Sequence, residues 1–271
     1  MTTYILAPGD RYRRLAKRFG IERAAIEQCN PAVRLNDMNV GDVIFLPLPR
    51  SATLPSSETR KEVRRGLRGL GRVALTFDAG ADVGVLYTLL SVLEERGVRC
   101  TFFVTGRWLD RHPAAVKRIA DSGHEVFGHS FRHRSLCELF DEEILDELEK
   151  TEQIIHQTIG RCARPYFRPP YGDRDPRVLE LAGRTGWQCI YWTYDSHDAT
   201  GSPKTPEQII ARVLSPPGVE EPRYFFDGAI VLFHASKAAT SAAIGPIIDG
   251  VRQLGLEPVP LTTLLQPPSG L

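Results

Sequence analysis

The sequence predicts an α/β fold: a barrel of about seven strand–helix units, preceded by a small β-α-α-β unit. From residue 72 onward, short strand-like runs alternate with helical stretches, as in parallel sheets. Five of the strand-like runs end on or lead into Asp, His or Arg. No glycine-rich nucleotide-binding fingerprint is present, and its absence favours a barrel over an open sheet.

Composition excludes several classes of protein. A net charge of +1 on 271 residues predicts no strong general attraction to nucleic acid or membrane. No apolar run is long enough for a membrane span. The first ten residues lack the basic and apolar regions of a signal peptide, so we expect cytoplasmic synthesis unless a leader precedes this sequence. The five cysteines form no C-x-x-C pair and are predicted to be reduced.

The N-terminal unit is predicted over residues 1–48. A strand is expected at residues 4–6 and an amphipathic helix from about Tyr12 to Phe19, which Gly20 ends. A second helix runs from about residue 22 to 29, and a strand over residues 41–47 closes the unit.

Residues 3–48 resemble a LysM module. The resemblance rests on the Tyr-x-x-x-Pro-Gly-Asp10 start, the Asn30-Pro31 turn and the Gly-Asp-Val-Ile-Phe-Leu-Pro47 end. It implies binding of N-acetylglucosamine polymers such as peptidoglycan or chitin, in a groove between loops 8–12 and 30–35. The implied ligand-binding residues are Gly9, Asp10, Asn30 and Pro31. A β-α-α-β appendage without a ligand is the alternative.

Residues 49–71 are predicted to be a linker, since Pro, Ser and Thr fill their first half. Their second half is rich in arginine. A solvated basic tether is one interpretation, and contact with an anionic wall polymer is the other.

Residues 72–271 are predicted to form the barrel. The helix at 141–159 has the clearest apolar stripe. Strands are predicted at 73–77, 100–104, 125–127, 166–168, 188–192 and 229–233, with a further candidate at 257–259. Helices are predicted at 86–96, 113–122, 141–159, 175–185, 206–214 and 243–254.

His129 and His133 follow a predicted strand and are four residues apart. Two unconnected surface histidines would be the ordinary interpretation. Asp78 and Asp82, in the loop after the first strand, are candidate carboxylate partners. Two imidazoles and one carboxylate, with open positions for water, suit a hydrolytic Zn²⁺ or a related ion.

Three further residues could take part in chemistry. His234 ends an apolar strand and is either a satisfied core histidine or a general acid or base, with Asp195 or Asp198 holding its tautomer. Arg168 would need a carboxylate partner if buried, for which Asp78 is the natural candidate. The backbone N–H of Tyr171 could donate to an oxyanion.

The order of these motifs resembles the NodB-type polysaccharide deacetylases, carbohydrate esterase family 4. The motifs are Thr-Phe-Asp78, His129-x-x-x-His133, Arg168-Pro-Pro-Tyr-Gly, Trp192-x-x-Asp-x-x-Asp and Leu-x-His234, and they span about residues 72–262. The resemblance implies a distorted (β/α)7-type barrel that removes acetyl groups from N-acetylated sugars. A divalent metal ion, Zn²⁺ or Co²⁺, is implied as cofactor.

The resemblance also implies a role for each matching residue. Asp78 would be the general base, oriented by Arg168, and His129 and His133 would be metal ligands. His234 would protonate the leaving amine, oriented by Asp195. The Tyr171 N–H would stabilise the oxyanion. Pro170, Tyr171 and Trp192 would line the substrate groove.

Ala79 departs from the family pattern, because the family usually has a metal-binding Asp directly after the base. Three alternatives follow. Asp82 replaces the lost ligand, the two histidines hold the ion with water alone, or the site lacks metal and the protein only binds glycan. Gly128 and Ala199 also depart, where Asn and Trp are common.

The functional hypothesis is a metal-dependent N-deacetylase targeted to peptidoglycan or a chitin-like glycan by the LysM-like unit. Delivery to the cell wall or a forming spore is part of this hypothesis, and no obligate protein partner is implied. One alternative is a wall or spore-coat protein with an inactive barrel. Another is a hydrolase of small amides. Residues 214–227 could line the groove or form an inert insertion.

Overall fold

The computed structural model describes residues 2–7, 9–30, 33, 38–47 and 62–266. Pro31, most of the predicted groove loop 30–35 and the first part of the predicted linker, residues 49–61, lie outside the described residues. No helix in the described part of the chain is long and apolar enough to cross a membrane.

The N-terminal unit has the predicted β-α-α-β order. Strands β1 (Thr2–Ile5) and β2 (Val43–Leu46) pair antiparallel, and helices α1 (Tyr12–Phe19) and α2 (Arg23–Cys29) lie between them in sequence. Helix α1 ends at Gly20, whose φ of 63° is the left-handed conformation that glycine adopts without steric cost. Tyr4, Tyr12 and Leu15 are buried in a small separate core.

Two of the predicted glycan-binding side chains are buried and form hydrogen bonds inside this unit instead. Asp10 is buried and accepts hydrogen bonds from the Tyr4 hydroxyl (2.8 Å) and the Ala7 N–H (2.7 Å). Asn30 is buried and bonds both the N–H and the carbonyl of Phe45, tying α2 to β2. Their side chains are therefore not available to a ligand, whereas Gly9 is exposed.

The barrel is a curled parallel sheet, which confirms the predicted fold class. The order is β7-β6-β5-β4-β3-β9-β8 in the described residues, and β10 adds to β3. Its strands are β3 (Arg72–Ala79), β4 (Thr101–Val104), β5 (Glu125–Gly128), β6 (Tyr166–Phe167), β7 (Gln188–Cys189), β8 (Tyr194–Asp195), β9 (Ile230–His234) and β10 (Glu257–Pro258).

Helices cover the outside of this sheet. The predicted strand at 188–192 is in fact the shorter β7, with β8 beyond it, and α4, α9 and α11 were not predicted. The helices are α3 (Gly84–Glu95), α4 (Gly106–Arg111), α5 (Pro113–Asp121), α6 (Asp141–Ile159), α7 (Pro176–Arg184), α8 (Pro206–Leu214), α9 (Pro222–Phe226), α10 (Ala238–Gln253) and α11 (Leu261–Leu265).

Strand β3 lies at the centre of the core. All its residues except Arg72 are buried, and Phe77 stacks against Phe102 on one side and Phe233 on the other, at 5.1 and 5.5 Å between ring centroids. Burying each such ring contributes about 1.5–3 kcal/mol. Because the core fixes β3, it also fixes the loop that follows β3.

The second half of the predicted linker belongs to the barrel. Val63 pairs with Ile190 and Arg65 pairs with Ala229, so this segment runs between β7 and β9. The Val63 N–H donates to the Cys189 carbonyl, and the Tyr191 N–H donates to the Val63 carbonyl, both at 2.8 Å.

The solvated tether is therefore wrong for residues 62–71. Arg65 is buried, donates to the carbonyls of Phe225 and Asp227, and lies 3.8 Å from Asp42 of the N-terminal unit. Sequence analysis assigned this segment to the linker because it is rich in arginine, and arginine is rarely buried unless it is paired.

Candidate active site

Asp78 and His234 lie side by side at the carboxyl end of the sheet. They are register partners on the neighbouring parallel strands β3 and β9. The carboxyl ends of parallel strands are where functional residues of α/β folds collect. Both side chains line a cleft of about 600 Å³.

Arg168 is the partner of Asp78, as predicted. Its Nη1 donates to the Asp78 Oδ1 at 2.8 Å, its Nη2 donates to the Thr76 hydroxyl at 2.9 Å, and its guanidinium lies 4.0 Å above the Phe103 ring. Burial alone would raise the pKa of Asp78, but its interactions with the neighbouring His129 and with the Arg168 guanidinium outweigh burial and lower that pKa. Asp78 is therefore ionised at neutral pH.

His129 and His133 converge on the same cleft. Their Nε2 atoms are 3.2 Å apart, and the His129 Nε2 lies 3.3 Å from the Asp78 Oδ2. The His129 Nδ1–H donates to the Arg168 carbonyl at 2.8 Å, which leaves the lone pair on Nε2. Burial lowers the pKa of His129, and burial together with the neighbouring His129 lowers that of His133 to about 4.

These two histidines have the donor chemistry of a metal site. Both are neutral at pH 7, and neutral imidazole is the form that binds metal. They fit a divalent ion through two nitrogen donors. In the described residues, however, no group of three or more His, Cys, Asp or Glu side chains is arranged to hold one ion.

Asp82 does not replace the ligand that Ala79 lacks. Its side chain is exposed, and its Oδ1 accepts the Gly84 N–H at 2.9 Å at the start of α3. A carboxylate at a helix N-terminus is stabilised by the helix dipole, so Asp82 has a structural role there. The prediction of a relocated ligand at Asp82 is wrong.

His234 is held by Asp198 and not by Asp195. The His234 Nδ1–H donates to the Asp198 Oδ1 at 2.8 Å, and the His234 backbone N–H donates to Oδ2, also at 2.8 Å. The Thr240 hydroxyl donates to the same Oδ2 at 2.6 Å. Burial lowers the pKa of His234, but the hydrogen bond and charge of Asp198 prevail and raise it.

Asp195 lines the cleft but bonds elsewhere. Its Oδ1 accepts the His197 backbone N–H at 2.7 Å. The prediction that Asp195 orients His234 is therefore corrected. Two residues lie between Asp195 and Asp198, and the turn that they form decides which carboxylate reaches the imidazole.

Tyr171 and Trp192 line the cleft, as predicted, whereas Pro170 is buried and is not among the described residues that line it. Tyr171 has a positive φ of 59°, its ring is 68% exposed, and its hydroxyl lies 3.2 Å from the His133 Nδ1. A Cβ at Gly172 would come within 2.7 Å of Trp192, so only glycine fits there.

Glu147 is a supporting residue that sequence analysis missed. It is buried on α6, and its Oε2 accepts the N–H groups of Phe131 and Arg132, at 2.8 and 2.6 Å. The loop that carries His133 is thereby fixed to the helix. A carboxylate on the apolar face of α6, next to Leu148, was the available signal.

Comparisons with known proteins agree with this geometry. Residues 68–190 match the family model for polysaccharide deacetylase. The chain is 29% identical over 198 residues to a peptidoglycan-N-acetylglucosamine deacetylase of Bacillus cereus, covering 72% of this chain and 68% of that protein. It is 36% identical over 121 residues to the peptidoglycan-N-acetylmuramic acid deacetylase PdaA of Bacillus subtilis, covering 45% and 46%. The chain thus spans less than half the length of PdaA.

A solved structure extends the similarity to most of the chain. It is a mutant of BA3943, described as a CE4 family pseudoenzyme with restored enzymatic activity, and BA3943 comes from Bacillus anthracis. The two chains are 25% identical with a TM-score of 0.71, covering 90% of this chain and 85% of that one. Together, the family model matched over residues 68–190, the relatives and this structure show that the barrel is similar to polysaccharide deacetylases and has the fold of a carbohydrate esterase family 4 structure.

Proposed function

We propose that this chain is a hydrolase of carbon–nitrogen bonds that removes acetyl groups from the amino sugars of peptidoglycan. One observation carries the proposal. An ionised carboxylate, Asp78, and an imidazole with a raised pKa, His234, face one cleft from adjacent strands. Each has its own buried partner, Arg168 or Asp198.

The pair supplies both proton transfers that amide hydrolysis needs. Asp78 takes a proton from the attacking water as a C–O bond forms to the acetyl carbon. His234 gives its proton to the sugar nitrogen as the C–N bond breaks, so acetate and a free amine leave. The amine is a poor leaving group unless it is protonated, which makes the acid as necessary as the base.

We propose that the Tyr171 N–H stabilises the oxyanion of the tetrahedral intermediate. The 170–172 turn has a fixed shape, since Gly172 packs closely against Trp192 and Tyr191. A fixed donor loses no free energy to reorganisation during the reaction.

We propose that His129 and His133 hold a divalent ion, Zn²⁺ or Co²⁺, through their Nε2 atoms. When such an ion is bound, it supplies Lewis-acid chemistry at the acetyl carbonyl. Family 4 deacetylases generally depend on a divalent metal ion. Here the protein would contribute two nitrogen donors, and binding would be weaker than with three.

Peptidoglycan is the proposed polymer, because relatives are named for deacetylation of either of its two amino sugars. We further propose that residues 1–48 are a LysM-like module that binds the same polymer and places the protein at the cell wall or a spore surface. The β-α-α-β order supports this assignment, with contacts from backbone and exposed residues such as Gly9.

A glycan-binding protein with an inactive barrel is the second candidate. Ala79, in a site with two histidine donors, favours it, as does the similarity to a structure described as a pseudoenzyme.

Acetate release from peptidoglycan, with Zn²⁺ or Co²⁺ supplied, tests the proposal. The wild type should release acetate. Asp78→Asn should lower the rate by about 10²-fold or more, because the general base is lost. Asp82→Asn is the matched control and should stay within about twofold, since Asp82 lies outside the cleft. Glycan binding without acetate release by the wild type would favour the binding protein.

A further inference from the structure

A second pocket, of about 310 Å³, opens beside the cleft. The two share wall residues Gly80, Ala81, Thr105 and His133. A substrate in the cleft therefore lies next to this lateral pocket.

The outer wall of the lateral pocket is basic. It is formed by Arg107 and Arg111 of α4 and by His112, all exposed, and no acidic side chain of the described chain lines it. Arg132 also lines the lateral pocket, but two carboxylates neutralise its charge. Its Nη1 lies 2.8 Å from the Glu147 Oε1 and 3.6 Å from the Asp146 Oδ2. Arg107 and Arg111 make no ion pair with any described residue, so their charges are available to a ligand.

This wall is fixed to the loop that carries His133. The Gly106 N–H donates to the Ser130 carbonyl and the Arg107 N–H to the Phe131 carbonyl, at 3.0 and 2.9 Å. A Cβ at Gly106 would come within 2.4 Å of the Phe131 ring, so the contact requires glycine. The start of α4 therefore moves with the loop that carries His133.

One residue that lines the pocket carries a buried, unsatisfied donor. Trp108 lines the pocket and is only 6% exposed. Its Nε1–H has no acceptor among the described residues. This nitrogen is shielded from solvent, so the charged groups of this wall that a ligand can reach are those of the exposed Arg107 and Arg111.

We infer that the lateral pocket binds a carboxylate of the substrate through Arg107 and Arg111. This rests on the proposed function and extends it, because it makes the enzyme selective for acidic glycan over neutral N-acetylglucosamine polymer. Guanidinium groups bind carboxylates through paired hydrogen bonds. In peptidoglycan the carboxylate belongs either to the lactyl group of muramic acid or to its stem peptide.

The double variant Arg107→Gln/Arg111→Gln tests this inference. Acetate release would be measured on three soluble substrates: N-acetylated chitotetraose, a GlcNAc–MurNAc tetrasaccharide with free lactyl groups, and the same glycan with stem tetrapeptides. The variant should lose about tenfold in kcat/KM on at least one acidic substrate, mainly through KM, and stay within about twofold on chitotetraose. Which acidic substrate is affected identifies the carboxylate.

Arg161→Gln is the matched control. Arg161 is exposed and precedes β6, at the amino end of the sheet. The substitution therefore removes a positive charge far from the cleft. It should leave all three rates within about twofold of wild type. Equal losses by the double variant on neutral and acidic substrates, or no loss on either acidic one, would overturn the inference.

Direct binding separates this inference from the proposed function. If the wild type releases no acetate from any substrate, the proposed function fails, and calorimetric binding of both acidic glycans still tests the pocket. About tenfold weaker binding of either by the double variant supports the pocket. Unchanged binding of both overturns it.

Discussion

Asp198 is the residue on which the proposed general acid, His234, depends. Its carboxylate accepts hydrogen bonds from the His234 imidazole, the His234 backbone and Thr240. It therefore sets the tautomer, the orientation and the raised pKa of His234 together. A general acid is useful only while protonated, so activity should persist up to the raised pKa and be lost as pH increases through it.

We expect Asp198→Asn to move the alkaline limb of the pH–rate profile to lower pH. Without the charge of Asp198, burial prevails and lowers the pKa of His234. At pH 8 the rate should fall by about tenfold or more. Asp195→Asn is the matched comparison. It should shift the limb less, because the charge of Asp195 raises the pKa of His234 less than the charges of Asp198 and Asp78 do. A larger shift with Asp195→Asn would contradict this assignment.

Ala79 should limit metal affinity. It lines the cleft directly after Asp78 and offers no donor atom beside His129 and His133. We expect Ala79→Asp to bind Zn²⁺ at least about tenfold more tightly in a chelator competition. Ala81→Asp adds the same charge at another position of the cleft wall and should change the affinity less. Equal effects would show that only overall charge matters.

At the scale of elements, α6 fixes the position of the loop that carries His133. Its stripe of Ile144, Leu148 and Ile155 is buried, as its periodicity predicts, and Glu147 lies among these residues. The two N–H groups that Glu147 accepts belong to the loop with His133. One helix thus contributes both to the core and to the position of a candidate metal ligand.

Glu147→Ala should therefore affect both stability and activity. Two N–H groups in a partly buried loop lose their acceptor, which costs about 2–4 kcal/mol in the free energy of unfolding. Urea denaturation and acetate release would measure the two effects. Asp146→Ala, which removes the neighbouring, half-exposed partner of Arg132, should cost less than about 1 kcal/mol. Similar losses in both variants would exclude a special role for Glu147.

At the scale of the whole molecule, the segment 62–71 joins the N-terminal unit to the barrel. It pairs with β7 and with Ala229, and Arg65 lies between Asp42 and the carbonyls of Phe225 and Asp227. Removing it would leave the Tyr191 N–H, among others, without its backbone acceptor inside the barrel.

We expect a chain that begins at residue 62 to unfold cooperatively and to keep its activity on soluble oligosaccharides. A chain that begins at residue 72 should aggregate or lose the thermal transition, because Val63 and its hydrogen bonds are gone. Circular dichroism with heating compares them. A normal transition for the shorter chain would show that the segment is dispensable.

The same comparison tests the N-terminal unit. The chain that begins at residue 62 should bind insoluble peptidoglycan at least about tenfold more weakly than the full chain, because the proposed LysM-like module is missing. Sedimentation with purified peptidoglycan measures this. Unchanged binding would assign the affinity to the barrel.

The sequence by itself determined the features that depend on local pattern. Alternating strands and helices predicted a parallel sheet, and a parallel sheet brings the residues after its strands to one edge. Asp78, His129, His133 and His234 could be grouped on that basis, and the pairing of Arg168 with Asp78 followed from the need of a buried cation for a carboxylate.

Only the tertiary structure decided which of several similar residues makes each contact. Asp198 lies 36 residues from His234 in sequence, and Arg65 lies 160 and 162 residues from the carbonyls it binds. Asp82 was expected to bind a metal, but it accepts a hydrogen bond from the Gly84 N–H at the start of α3. Asn30 was expected to bind a glycan, but it ties α2 to β2. Periodicity is a property of neighbouring residues, whereas these choices depend on packing between distant segments, which brings one carboxylate within 3 Å and leaves another outside.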